Sequence, residues 1–238
     1  MHRPDVAPTE RSLTNVLQPV ERRALTDDVL STLRKAILAG AFAPGDHIPE
    51  ARTASQLGVS RVPVREAMLQ LEREGLLSFD RRGAALVREL TPGDFEEIFS
   101  LRLALEPMGA ELACRQFTET DAHLFDSNID RTRAAARLLE VTLLDVEFHD
   151  LIMRTARHSR LLQCWLSLRP QLEVWLHRMH QQYEAATRRT RETTVREHLE
   201  LLATLRSGSP GRAAARMRKH TEGWRDQLSK LTESANQL

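Results

Sequence analysis

Apolar residues recur along this chain at more than one spacing, and the texture changes near residue 90. Between Leu25 and Ala39, the residues Leu25, Val29, Leu33 and Ile37 stand four apart, the repeat of one helical face. Gly40 supplies a stop. The next segment, AFAPGDHIPE, lacks the repeat and reads as a turn around Pro44-Gly45. A short helix over about 50–57 closes at Gly58. Ser60 can cap a second helix running to about residue 74, with Pro63 tolerated in its first turn and Val64, Met68 and Leu71 as its stripe. After Gly75, LLSFD and ALVRE flank the polar turn RRGA as in a β-hairpin. Helix, short helix, turn, helix, hairpin is the order of a winged helix-turn-helix.

Beyond residue 90 long amphipathic helices take over, at about 91–115, 119–138, 141–157, 159–184, 188–206 and 210–231. Gly and Pro gather at the junctions, as in Ser207-Gly208-Ser209-Pro210-Gly211. Pro107, Gly109 and Pro170 are interior exceptions and candidate kinks. The fold expected is mainly α: an N-terminal winged helix-turn-helix followed by an all-α bundle of about six helices. Residues 1–23, polar and with three prolines, read as a flexible arm, 24–90 as the winged helix and 91–238 as the helical domain.

Composition adds exclusions. Apolar residues make up 41% of the 238, enough for a real core. Two cysteines exclude a disulfide scaffold, and no run approaches a membrane span or a secretory leader, so a cytoplasmic protein is expected. The formal net charge of +1 looks unsuited to nucleic acid, but it is an average. Residues 52–88 carry seven Arg against four acids, an excess of three positive charges. Arg61 and Arg65 share one face of the second helix, whose N-terminal end is the one that meets bases and phosphates in such motifs. Arg81 and Arg82 sit at the hairpin tip.

The stretch from Gln56 to Met68 and then Leu71 to Leu76 resembles the winged helix of GntR-type transcription regulators. Ile37-Leu38-Ala39-Gly40, Pro44-Gly45 and Arg82-Gly83-Ala84 share the likeness. The resemblance implies double-stranded DNA as partner, with Arg52, Ser60, Arg61, Val62, Pro63, Arg65, Arg82 and Gly83 at the interface. The family often has Arg-Glu-Leu before the Ala of the short helix, where this chain has Ala51, Arg52 and Thr53, so the usual arginine is displaced by one.

In the bundle, polar residues interrupt four stripes that are otherwise apolar. They are Arg102 and Glu106 among Phe95, Ile98, Phe99 and Leu105; Asp145 and His149 among Leu144, Phe148 and Ile152; His198 among Val195, Leu201 and Leu202; and His220 among Met217, Trp224, Leu228 and Leu231. Three histidines and a carboxylate converging in a core form a site for Zn²⁺, Ni²⁺, Mn²⁺ or Fe²⁺. Open positions on the ion would take a small carboxylate, with Arg102 pairing its charge. The plainer reading makes each His a hydrogen-bonded core residue and Arg102–Glu106 a structural ion pair. His177 and His180, flanked by Arg178, Gln181 and Gln182, read as a solvated face. His123 and His158 have no convergent partner.

The bundle is similar to the FCD ligand-binding domain of the FadR-like branch of the same family. The likeness rests on Leu90-Thr91, Leu101-Arg102 with Leu105-Glu106, Asp145 through His149, Glu197-His198, and Ala213 through His220. It implies that Asp145, His149, His198 and His220 hold a divalent metal ion, and that Arg102 takes part in effector sensing. The turn Arg157-His158-Ser159 and the non-acidic 207–211 segment depart from the family pattern.

The expected function is a DNA-binding transcription regulator, of repressor type, that reads a palindromic operator as a homodimer and responds to a small carboxylate effector bound at the metal site. A metalloenzyme on the bundle and a DNA-binding protein with a purely structural bundle are the rival readings. The former needs a general acid or base at the ion, and Glu147 lies off the face shared by Asp145 and His149.

Overall fold

The computed structural model describes the backbone of residues 23–235 and the side chains of residues 25–226. The expected arm, 1–23, lies outside this range except for Arg23, which already begins the first helix. The side chains of Leu228 and Leu231 also lie outside it.

Three helices, α1 (Arg23–Leu38), α2 (Glu50–Leu57) and α3 (Arg61–Arg73), pack with three short strands, β1 (His47–Ile48), β2 (Leu77–Phe79) and β3 (Ala85–Val87). Val29, Leu33 and Ile37 of α1 meet Val64, Met68 and Leu71 of α3 and Ile48, Leu77 and Val87 of the sheet in one apolar cluster. Leu25, first of its stripe, is largely exposed and does not reach this core. α2 ends at Gly58, whose positive φ of 67° lets its N–H return to the last turn.

The AFAPGDHIPE segment corrects the sequence reading. It is more than a turn: its end forms β1, which pairs with β3, so the sheet has the antiparallel order β1-β3-β2. Gly45 N–H bonds to the Val87 carbonyl and Val87 N–H to the Asp46 carbonyl, delivering His47 and Ile48 to the free edge of β3. Two residues are too few to show the alternation by which strands are recognised.

The remaining helices are α4 (Pro92–Gln116), α5 (Glu119–Ala134), α6 (Leu138–Thr155), α7 (Ser159–Thr187), α8 (Thr190–Arg206) and α9 (Pro210–Ala235). Capping boxes open α4 at Thr91/Asp94 and α5 at Thr118/Asp121, each side chain accepting from the other's backbone N–H. His158 does the same work for α7, accepting from the Leu161 N–H. The α5–α6 break falls at 135–137, a few residues before the expected position. Extended backbone at Ala135 and Arg137 ends one helix and starts the next, and Ala135 packs with Val141 and Leu144.

Pro107 and Pro170 lie inside α4 and α7, which continue through them. Gly109 sets the distance between α4 and α6: a Cβ there would stand 2.7 Å from the Met153 sulfur. That close approach brings the Glu106 end of α4 against the face of α6 that carries His149. Among the described residues, no helix is long and apolar enough to cross a membrane.

Candidate functional site

The four expected ligands meet. Asp145 and His149, one turn apart on α6, face His198 of α8 and His220 of α9, and all four are buried. One donor atom from each lies within 4.8 Å of the others. The Asp145 Oδ1 stands 3.4 Å from His149 Nε2 and 3.2 Å from His198 Nε2, while His149 Nε2 and His220 Nε2 are 3.3 Å apart. Donors sharing an ion at about 2.0–2.2 Å are separated by about 3–3.4 Å when adjacent and about 4.2 Å when opposite. The three separations given above fall in the adjacent range.

The polar atoms carry a second sign. His198 Nδ1 is buried without a hydrogen-bond partner, and the close approaches of His180 Nε2 to Asp145 Oδ2 and of His198 Nε2 to Asp145 Oδ1, each 3.2 Å, lack hydrogen-bond geometry. An unpartnered buried polar atom costs about 1–3 kcal/mol, so a core that orphans several at one point is made for something placed among them. Burial opposes the Asp145 charge, but contacts from His149, His180 and His198 overcome it and hold the carboxyl well below its ordinary range. Burial pushes His198 down and His220 down to about 4, against the pull of Asp145 and Glu197 respectively, so both rings favour the neutral form that binds metal. The donor set fits a divalent transition metal.

Behind these residues stands a layer that the sequence reading largely missed. Glu106 Oε1 lies 3.5 Å from His149 Nδ1, and Glu197 Oε2 lies 3.7 Å from His220 Nδ1. Neither Nδ1 is hydrogen-bonded at these distances, so the two carboxylates face the rings as neighbouring charges. Contact with His220 and then, against burial, with Arg216 holds Glu197 well below the ordinary carboxylate range. Glu106 is itself held by Arg102 at 2.6 Å and by the Thr221 hydroxyl at 2.7 Å. Arg102 and Glu106 thus form a buried ion pair, yet Arg102 Nη1 is left without a partner.

His180 corrects the sequence reading. It is fully buried, not part of a solvated face, with Nε2 3.2 Å from Asp145 Oδ2 and Nδ1 2.9 Å from Thr142 Oγ1. Its polar sequence neighbours belong to the other side of α7. The available signal was Leu172 and Leu176, which lie eight and four residues earlier on the same face and are buried. Glu147 is turned away from the cluster and pairs with Arg131 at 2.7 Å.

Of the residues expected at the DNA interface, all but Pro63 lie at the surface. Ser60 occupies the N-cap of α3 but makes no capping bond with its side chain. Arg61 and Arg65 are 68% and 60% exposed on one face, with Val62 exposed beside them. Pro63 is buried and starts the helix from within. Arg52 is exposed on α2, and Arg82 and Gly83 are exposed in the wing turn, where Asp80 accepts from the backbone of Arg82 and Ala84. Glu50, unnoticed in the sequence, bridges Arg61 at 2.9 Å and Arg65 at 3.3 Å.

Comparison with known proteins agrees with both halves. The model for bacterial regulatory proteins of the gntR family matches residues 25–87, and the FCD domain model matches residues 97–223. The HTH-type transcriptional regulator YdhC of Bacillus subtilis (strain 168) is 34% identical over 133 residues, which span 54% of this chain and 59% of that protein, under two thirds of its length. The gluconate operon transcriptional repressor of Bacillus licheniformis is 28% identical over 168 residues, 68% of this chain and 69% of that protein. The structure of E. coli McbR/YncC superposes with a TM-score of 0.71 at 25% identity, covering 89% of this chain and 98% of that one. These relatives are regulators rather than enzymes, which sets the metalloenzyme reading aside. With more than half of its length matched by the FCD domain and its N-terminal part by the winged helix, the chain belongs to the GntR family of bacterial transcription regulators, in its FadR-like branch.

Proposed function

We propose that this regulator is a cytoplasmic, metal-dependent, effector-responsive repressor that works as a homodimer. Residues 24–90 read one half of a palindromic operator and residues 91–238 sense the effector. Arg61 and Arg65 enter the major groove, where arginine takes guanine bidentately, while Ser60, Arg52 and the wing at Arg82-Gly83 meet phosphate and sugar. The repressor assignment is drawn by analogy with the gluconate operon transcriptional repressor, to which this chain is similar.

One observation carries the sensing half: four buried residues, Asp145, His149, His198 and His220, bring one donor atom each within 4.8 Å of the others. Asp145, His149, His198 and His220 hold the ion, which supplies positive charge and open coordination positions for a small carboxylate. Arg102, with its unpartnered Nη1, is the protein group that pairs the effector's charge, and Glu106 keeps Arg102 in place beside His149. An effector favouring one dimer geometry changes operator affinity by shifting the population.

Elemental analysis of gently purified protein tests this reading. It should find about one Zn, Ni, Mn or Fe ion per chain, and His149→Ala should lose it. Metal-free wild type with no response to added ions overturns the sensing half. A gel-shift titration with the DNA flanking the regulator's own gene tests the reading half.

A further inference from the structure

A crevice of about 310 Å³ lies where the winged helix meets the bundle, away from the four metal ligands. One wall is the end of α1 and the turn after it, with Ile37 and Phe42; another is the sheet, with Leu76; the third is α7, with Val174. Its volume is at the lower end of the range for small-molecule sites, about 300–1,000 Å³.

The polar side chains around this apolar floor carry no negative charge. Arg88, His177, Arg178 and Gln181 line it, and among the described residues no Asp or Glu does. Arg88 spends part of its guanidinium on Asp94 at 2.6 Å. Arg178 lies over the Phe95 ring at 6.0 Å, and among the described residues no carboxylate pairs with it. A stacked guanidinium is held in place with its N–H donors still available, which suits a carboxylate or sulfonate. The crevice also connects to the metal cluster. His177 Nδ1 is 3.2 Å from Thr142 Oγ1, which is 2.9 Å from His180 Nδ1, and His180 Nε2 is 3.2 Å from Asp145 Oδ2.

We propose that this crevice is a second ligand site, for a small amphipathic anion: an aryl or alkyl body bearing one carboxylate or sulfonate. The body covers the apolar floor and the anionic head takes Arg178. Such a ligand touches both the DNA-reading unit and α7, so its occupancy bears on the angle between them. The site is independent of the metal reading and stands whether or not an ion binds at Asp145.

The test uses the full chain and two fluorescent probes with the same aromatic body, 1-anilinonaphthalene-8-sulfonate and the uncharged N-phenyl-1-naphthylamine. Titrations should show the sulfonate binding the folded wild type at one site per chain. Arg178→Gln should weaken it about tenfold, the loss expected for one charge-assisted contact, and should change the neutral probe by less than about twofold. Ala43→Phe, which fills the crevice from an exposed rim position, should weaken both probes. Thermal melts confirm that both variants fold. If the sulfonate binds the wild type, Arg178→Gln and Ala43→Phe alike, or if no saturable site is found, the proposal is wrong.

Discussion

The two halves of this regulator keep their chemistry at opposite ends of the exposure scale. Arg61 and Arg65 stand in solvent on a small winged helix built around one apolar cluster. Asp145, His149, His198 and His220 lie at the centre of a bundle, 2% exposed or less. The difference follows from what each half must bind. A phosphate backbone is too large to enter a protein, so its partners must project outward and stay hydrated until contact. An ion and a small effector bind best where water is excluded and the donors are already arranged, which imposes a desolvation cost that the free protein carries. Deleting an exposed arginine should therefore change binding and leave the fold intact, whereas disturbing the buried cluster should change both.

The largest effect should come from loading the buried site. Zn²⁺ at about a thousand times its Kd adds about 4 kcal/mol to stability, roughly 8–16 °C in Tm for a chain of this size. Differential scanning fluorimetry with and without Zn²⁺ checks this, and His149→Ala should abolish the gain. Next comes pH. His220 sits at about 4 in the fold against an ordinary 6.5, so between those values the unfolded chain binds the extra proton. Its contribution is full above about 6.5 and is lost as pH falls toward 4, at up to about 1.4 kcal/mol per pH unit. Metal-free protein should melt progressively lower across that window, and His220→Gln should flatten the slope. A slope unchanged in the variant would show that the cluster does not govern acid stability.

On the exposed half, Arg61→Ala and Arg65→Ala should each cost about 1–3 kcal/mol of operator affinity, with Tm unchanged. A gel shift at fixed salt with a parallel melt separates the two quantities, and a fall in Tm comparable to that of a core variant would break the contrast drawn above. The smallest effect belongs to Glu50, which bridges both arginines at the surface. Glu50→Gln should alter stability by less than about 1 kcal/mol and raise affinity for unrelated DNA at low salt, because the arginines lose a competing carboxylate.

Much of this was legible along the chain. The helical repeats located the helices to within a few residues, and the turn chemistry at Gly58, Ser60 and Gly75 placed the helix-turn-helix. Asp145, His149, His198 and His220 each break an apolar stripe, which spacing makes readable, and the structure brings these four residues together. The misses share one cause. β1 is a strand only because β3 offers it a free edge, and no periodicity of its own records that. His180 looked solvated because its sequence neighbours are polar, yet α7 turns it toward Asp145. Glu106 of α4 stands behind His149 and Glu197 of α8 behind His220, juxtapositions that spacing cannot reveal.

By itself the sequence determined the helices, where most of them begin, and most of their apolar faces, since these depend on residues within a turn or two of one another. It also placed Arg61 and Arg65 on one exposed face of α3, because an exposed side chain on a known helix face needs little else to be found. The tertiary structure alone decided that four polar residues on three helices share one point and which carboxylates stand behind them. It alone decided that a crevice opens between the two halves, with Arg178 beside it. Those facts rest on contacts between residues tens of positions apart. Such contacts are fixed by how whole helices pack, by close approaches such as that of Gly109 to Met153, and no local pattern encodes them.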